Sequence, residues 1–98
     1  MQRRPGPGIG ELVLEIFRRA YFDNPDRKLT VNEIAYRIYG DRWEKELEIS
    51  IEKNVLRRLE DNGVLKSDRD PHSGRRLYSL NMTTEETKSV DLDQVFSD

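Results

Sequence analysis

The chain has no cysteine and only one histidine among its 98 residues. Without cysteine it cannot form disulfides or a zinc site built on thiolates. The single histidine, His72, lies in a Pro-His-Ser-Gly segment that is typical of an exposed turn, and no second histidine could build a Ser-His-Asp triad elsewhere. A glycine-rich phosphate loop is also absent. We therefore expect no metal, no cofactor and no enzymatic activity.

Long hydrophobic runs are missing as well. No apolar segment approaches the roughly 20 residues that a membrane-spanning helix needs. Arg3 and Arg4 near the N-terminus are not followed by an apolar segment, so a signal peptide is not expected. The sequence predicts a cytoplasmic protein with no membrane partner.

The charge is unevenly distributed, although its net value is only −2. Residues 81–98 hold five acidic side chains and one lysine, whereas residues 1–80 hold 16 basic and 14 acidic ones. This pattern predicts three parts: a flexible, Pro- and Gly-rich arm (1–8), one mildly basic domain (9–82) and an acidic tail (83–98). The tail is predicted either to form a short helix capped by Thr83 or Thr84 or to be disordered.

Apolar residues with helical spacing predict a first helix over residues 9–22. Leu14 and Tyr21 fall outside its main apolar stripe, which means that the helix buries more than one surface. Two interpretations stay open at this point. In the first, both residues pack under a loop or the tail of the same chain. In the second, they form the seam of a homodimer.

Two further helices and a hairpin follow. Thr30 and Glu33 have the spacing of a capping box at the start of the second helix, and Gly40 is placed to end it. The third helix falls within residues 41–62, either as one long helix or with a break at 49–50. A β-hairpin is predicted over residues 64–80, with turn-forming residues at 70–74, and residues 29–31 could pair as a short strand. The predicted fold class is α+β, with three helices, a β-hairpin and a possible short C-terminal helix.

Three segments carry a family resemblance: Leu-Thr-Val-Asn-Glu-Ile-Ala at 29–35, Leu-Arg-Arg-Leu-Glu-Asp-Asn-Gly-Val-Leu at 56–65, and the turn at 70–78. They resemble winged helix-turn-helix regulators of the MarR type and their archaeal relatives. The resemblance covers about half the chain and implies a third helix that enters the major groove of duplex DNA. The segment 40–50 is longer than the usual turn in that family. The chain has no room for an effector-binding domain, so no small-molecule ligand is implied.

Candidate DNA contacts lie on the third helix and on the hairpin. Basic and amide side chains can read base edges, and arginines on a two-stranded ribbon can bind phosphates. The candidate residues are Ser50, Lys53, Asn54, Arg57, Lys66, Arg69, Arg75 and Arg76. Acidic side chains on the same helix, among them Glu48 and Glu52, oppose phosphate binding.

The sequence therefore predicts a regulator of transcription that binds double-stranded DNA. We expect it to act as a dimeric repressor whose homodimer forms through Leu14 and Tyr21 of the first helix. The alternative is a winged-helix module that binds another protein and not DNA. A further hypothesis is that the acidic tail folds onto the basic hairpin and competes with DNA.

Overall fold

The computed structural model describes residues 7–97, and its first helix, α1, spans Pro7–Asp23. The predicted helix is confirmed and begins two residues earlier than expected. Val13, Phe17 and Ala20 of its main apolar stripe are buried, whereas Leu12 is half exposed. The helix packs against α2 and β3, the second helix and third strand given below, and against two short C-terminal helices. The helix ends before Pro25, because proline disfavours helical geometry in the residue before it.

Strand β1 (Leu29–Thr30) leads directly into helix α2 (Val31–Tyr39). The predicted capping box is confirmed. The backbone N–H of Glu33 donates to Thr30 Oγ1 at 3.2 Å, and the backbone N–H of Thr30 donates to Glu33 Oε1 at 3.1 Å. Gly40 ends α2 with a φ of 54° that side chains disfavour, so a glycine suits this position.

Helix α3 is one continuous helix over residues 45–61. It consists of an α-helical segment (Lys45–Ile51), a wider π-helical turn (Glu52–Leu56) and a second α-helical segment (Arg57–Asp61), and the residues at both junctions keep right-handed helical angles. The break considered at 49–50 is absent. Residues Gly40–Arg42 instead form a separate 3₁₀ turn before α3. The helix ends in a Schellman motif, in which Val64 N–H donates to Leu59 O and Gly63, at a φ of 78°, to Glu60 O.

Strands β2 (Leu65–Arg69) and β3 (Arg76–Leu80) form the predicted hairpin. With β1 they make an antiparallel sheet in the order β1-β3-β2. The connecting turn is held by Asp70, whose carboxylate accepts from the backbone N–H of His72 at 2.9 Å and from Ser73 Oγ at 3.0 Å. These hydrogen bonds lower the pKa of Asp70.

The acidic tail forms two short helices, α4 (Thr84–Thr87) and α5 (Leu92–Val95), that pack against α1. Thr83 caps α4, in agreement with the first predicted alternative, a short helix capped by Thr83 or Thr84. The ring of Phe96 covers Gly10, and Arg18 Nε donates to Thr87 Oγ1 at 2.8 Å. Because the tail lies on α1, the hypothesis that it folds onto the basic hairpin is wrong for this structure.

The described chain is thus an α+β protein with five helices and a small three-stranded antiparallel sheet. Leu14 is fully buried inside this unit, so the predicted homodimer seam through Leu14 is wrong; its side chain is covered by the same chain. Tyr21 is only partly buried and also packs on the core. Within residues 7–97, no helix has the length and apolar character to cross a membrane.

Candidate nucleic-acid interface

The outward face of α3 carries four of the candidate residues. Helix α3 buries Ile51, Val55 and Leu59 on its inner side, which leaves Lys53, Asn54 and Arg57 exposed and Ser50 half-buried. Asn54 Nδ2 donates to Ser50 Oγ at 3.2 Å. The side chains of Lys53 and Arg57 make no hydrogen bond or ion pair within residues 7–97, so both are available to a ligand.

The hairpin places its basic residues on two different faces. Ser67 donates to Glu60 of α3, so the odd-numbered residues of β2 face α3. Arg69 shares that face and lies directly across from Arg76 of β3. Lys66 points to the opposite face, where it lines a cavity with Tyr21 and other residues. The structure therefore separates Lys66 from the rest of the predicted set.

A groove of about 290 Å³ connects the hairpin to the helices. It is lined by residues from the start of α2, from the first half of α3 and from the start of β3: Thr30, Val31, Asn32, Lys45, Glu48, Glu52, Arg75 and Arg76. The groove thus brings Arg75 and Arg76 beside the N-terminus of α2, which is the positive end of that helix's dipole. An extended anion would meet favourable charge at two of the three walls.

Glu48 was predicted to oppose phosphate binding from the surface of α3. The structure instead buries it, and its carboxylate has three hydrogen-bond partners. Its carboxylate is only 5% exposed and accepts hydrogen bonds from Asn32 Nδ2 at 2.7 Å, Trp43 Nε1 at 3.2 Å and Lys45 Nζ at 3.0 Å. Burial raises the pKa of Glu48, but the hydrogen bonds from Asn32, Lys45 and Trp43 together outweigh it and leave the pKa below its usual value. Glu48, which lies on α3, therefore connects this helix through hydrogen bonds to the start of α2 and to residues 43–45.

The long segment between α2 and α3 is fixed by this carboxylate and by an aromatic pair. The rings of Tyr36 and Trp43 stack with centroids 5.2 Å apart and planes 5° from parallel. The extension that distinguishes this chain from its predicted family is consequently a defined structure. It sets the angle at which α3 leaves α2.

Several other acidic groups near the candidate contacts also have partners within the chain. Glu60 accepts from Ser67 and lies 3.8 Å from Arg76 Nη1. Asp68 lies 2.7 Å from Lys28 Nζ, and the hydrogen bond to Lys28 lowers the pKa of Asp68. Glu46, Glu52 and Asp61 keep their charge unpaired among the described residues. Internal pairing therefore offsets the charge of Glu48, Glu60 and Asp68, whereas the three unpaired acids of α3 still oppose a phosphate.

Sequence reasoning missed two cations, Arg37 and Arg42. Both are exposed, and neither side chain has a hydrogen bond or ion pair in the described part of the chain. Arg37 lies on α2 and Arg42 in the 3₁₀ turn, on either side of Gly40. The family resemblance predicted DNA contacts only on α3 and the hairpin. Spacing alone does not single them out, since Glu33 and Asp41 lie four residues from Arg37 and Glu46 lies four residues from Arg42.

Tyr78 lies under the junction of α3 and the hairpin with an unpartnered hydroxyl. It is fully buried, and its hydroxyl has no hydrogen-bond partner among residues 7–97. Burial raises the pKa of Tyr78, and the nearby charge of Glu52 raises it further. The phenol of Tyr78 is therefore uncharged at neutral pH.

Neither a metal centre nor a known relative accounts for this surface. In the described residues, no group of three or more histidine, aspartate or glutamate side chains could hold a metal ion. Comparison of the chain with protein-family models, curated proteins and solved structures finds no match. Any functional assignment therefore depends on the chain's own residues.

Proposed function

We propose that this chain is a winged helix-turn-helix domain that binds duplex DNA. Helices α1, α2 and α3 followed by the β2–β3 hairpin, with the sheet order β1-β3-β2, support the winged-helix assignment. In this arrangement α3 enters the major groove and the hairpin, as the wing, contacts the neighbouring backbone. A continuous helix over residues 45–61 is about 25 Å long, which is enough to lie across the groove.

One observation carries the proposal: four of the basic side chains on α3 and the hairpin have no partner within the described chain, while several nearby acids do. Lys53 and Arg57 project from α3, and Arg69 and Arg75 project from the hairpin. Arg69 and Arg76 also oppose each other across the strand pair, where like charges destabilise a sheet. A phosphate bound beside them would relieve that repulsion.

The residues divide by the chemistry that they can perform. Lys53 and Asn54 have the donors and acceptors that guanine and adenine edges require, and Arg57 lies one turn later on the same face. Arg69, Arg75 and Arg76 suit phosphates, which fix orientation but carry no sequence information. A domain that occupies its site in this way blocks other proteins from it, so we propose repression of transcription as its role.

Binding to a random-sequence duplex, followed by fluorescence anisotropy at about 50 and 200 mM salt, tests the proposal. Three phosphate contacts, from Arg69, Arg75 and Arg76, predict a log–log salt slope of about −2.7, and hence a loss of affinity of about fortyfold over that range. Arg69→Ala and Arg75→Ala should each weaken binding and reduce the slope by about 1.

Lys88→Ala is the matched control, because it removes an exposed cation from the tail next to α4. It should leave the slope unchanged. Absence of binding at 50 mM salt, or an equal effect of Lys88→Ala and Arg75→Ala, would contradict the proposal.

A protein-interaction module is the second candidate function. Tyr36 and Ile49, from α2 and α3, are 49% and 40% exposed and would supply apolar contact area to a partner protein. Ile49→Ser leaves the Tyr36–Trp43 stack in place and would weaken binding to a protein partner. The same variant should leave the salt dependence of DNA binding intact if α3 contacts DNA through Lys53 and Arg57.

A further inference from the structure

The outer face of α1 carries an uncovered stripe of four residues. Leu12 is 50% exposed and Phe22 is 88% exposed. Between them, Glu15 Oε1 and Arg19 Nε form an ion pair at 3.3 Å along the helix, and their side chains are still 48% and 78% exposed, so both can also reach a second copy. The spacing of three, four and three residues is that of the a and d positions of a coiled coil, so all four lie along one seam.

The stripe is complementary to itself when two copies of α1 run antiparallel. With a two-fold axis passing by Phe17, Leu12 of one copy lies opposite Phe22 of the other, and Glu15 lies opposite Arg19. Each apolar residue then meets an apolar residue, and each charge meets its opposite. A two-fold contact requires this kind of self-complementarity. A parallel arrangement would instead place each charge beside its own copy.

The shape of the face agrees with this pairing. A shallow cavity of about 330 Å³ lies beside Phe22 and is lined by Glu15, Arg18, Arg19, Phe22 and Asp23. Leu12 lies at the opposite end of the stripe. The antiparallel arrangement therefore brings the Leu12 side chain of each copy toward the cavity of the other.

We propose that the chain forms a homodimer through an antiparallel α1–α1 contact centred between Glu15 and Arg19. This seam differs from the one predicted from the sequence, since Leu14 is buried and takes no part. Two helices of 17 residues bury less than the roughly 1,600 Å² of a standard interface, so the dimer is weak, with a Kd of about 10 µM or higher. The proposal is independent of DNA binding.

Two charge reversals test the pairing by analytical ultracentrifugation without DNA, at protein concentrations of about 10 to 500 µM. Glu15→Arg places two arginines opposite each other at both ends of the charged centre, and Arg19→Glu places two glutamates there. Each variant alone is expected to be monomeric. An equimolar mixture restores opposite charges at every contact, so the mixture is expected to dimerise as the wild type does.

Controls separate this result from a general effect of charge or folding. Arg37→Glu makes an equal charge change on α2 and should leave the dimer unchanged. Phe22→Ser removes an apolar residue that is 88% exposed, so it should abolish the dimer without lowering the melting temperature. Circular dichroism checks that every variant keeps its helical content, because Glu15 also contacts Arg18 and Arg19 of its own helix.

Two results would overturn the proposal. The first is a wild-type chain that stays monomeric at the highest concentration. The second is a dimer that survives in Arg19→Glu and Phe22→Ser, because the copies would then meet through another face. A mixture of the two charge variants that fails to associate, while the wild type does, would reject the antiparallel register.

Discussion

The buried carboxylate of Glu48 is predicted to hold α3 at its angle to α2, and its removal should cost measurable stability. Two substitutions separate the contributions. Glu48→Ala removes all three hydrogen bonds and leaves the donors of Asn32 and Trp43 without a partner. Glu48→Gln keeps a carbonyl oxygen that can accept from both of them, but it presents an amide N–H to Lys45 and carries no charge.

The magnitudes follow from the geometry. Hydrogen bonds to a charged group contribute about 1.5–3 kcal/mol each, against about 1 kcal/mol for neutral ones. The Lys45 side chain is 69% exposed, so its ion pair is screened and contributes at most about 0.5 kcal/mol. We expect Glu48→Ala to lower the free energy of unfolding by about 3–4 kcal/mol, and Glu48→Gln by about 1–2 kcal/mol.

Trp43 makes the assay direct, since it is the only tryptophan and its ring N–H donates to Glu48. Urea unfolding followed by Trp43 fluorescence gives the stability of each variant. Because the folded-state pKa of Glu48 is lowered from 4.5, its stabilisation is complete above pH 4.5 and is lost as the pH falls through the folded pKa. The difference between the wild type and Glu48→Gln should thus be constant near neutral pH and shrink below pH 4.5.

Two outcomes would refute this reasoning. One is equal stability of the wild type and Glu48→Ala at pH 7, which would mean that the carboxylate is hydrated and its bonds are exchangeable with water. The other is a difference between the wild type and Glu48→Gln that grows on acidification, because that result would require a raised pKa.

Two further predictions concern packing. A Cβ at Gly10 would lie 2.5 Å from Cε2 of Phe96, so Gly10→Ala should displace the tail and lower stability by about 1–2 kcal/mol in thermal unfolding. Gly8→Ala, with nothing within 4 Å of the new Cβ, is the matched control and should be neutral or stabilising by up to about 1 kcal/mol; equal effects of both variants would exclude the contact with Phe96. Tyr78→Phe removes a buried hydroxyl that lacks a partner, so urea unfolding should show a stability unchanged or raised by up to about 1 kcal/mol; a loss above 1 kcal/mol would show that the hydroxyl is bonded.

Local signals in the sequence predicted most of the elements. The capping box at Thr30 and the hairpin turn at Asp70 each depend on neighbouring residues, so they could be recognised without knowledge of the rest of the fold. Gly40 is a similar case, because a helix end needs a residue that accepts a positive φ. These signals gave the α+β class, the three larger helices and the hairpin.

Features that depend on distant contacts could not be predicted in the same way. Leu14 belongs to a helix covered from two sides, and an apolar pattern does not reveal whether the second cover is the same chain or a partner. The tail packs on α1 at a point where Gly10 leaves space for the ring of Phe96, a contact across more than 80 residues. Glu48 was interpreted as a surface charge, since its three donors come together only in the fold.

The candidate site was predicted in part for the same reason. Residue type alone identified Lys53, Arg57 and Arg69, and the structure leaves them exposed. Lys66 was grouped with them because it is basic and lies on the same hairpin. The alternation of side chains along β2, which decides its face, becomes clear only when Ser67 is seen to contact Glu60.

The π-helical turn of α3 contains one residue more than an α-helix would need to connect the buried residues on either side of it. Arg57 N–H donates to Glu52 O, five residues earlier, whereas an α-helix would use the fourth. A single-residue deletion within 52–54, which spares the buried Val55 and Leu56, would convert this turn to α-helix and keep Ile51 and Leu59 on the same buried side. Lys53 and Asn54 lie inside that spare turn, so the outward surface of α3 can change its length and residues while the hydrophobic interior stays in register.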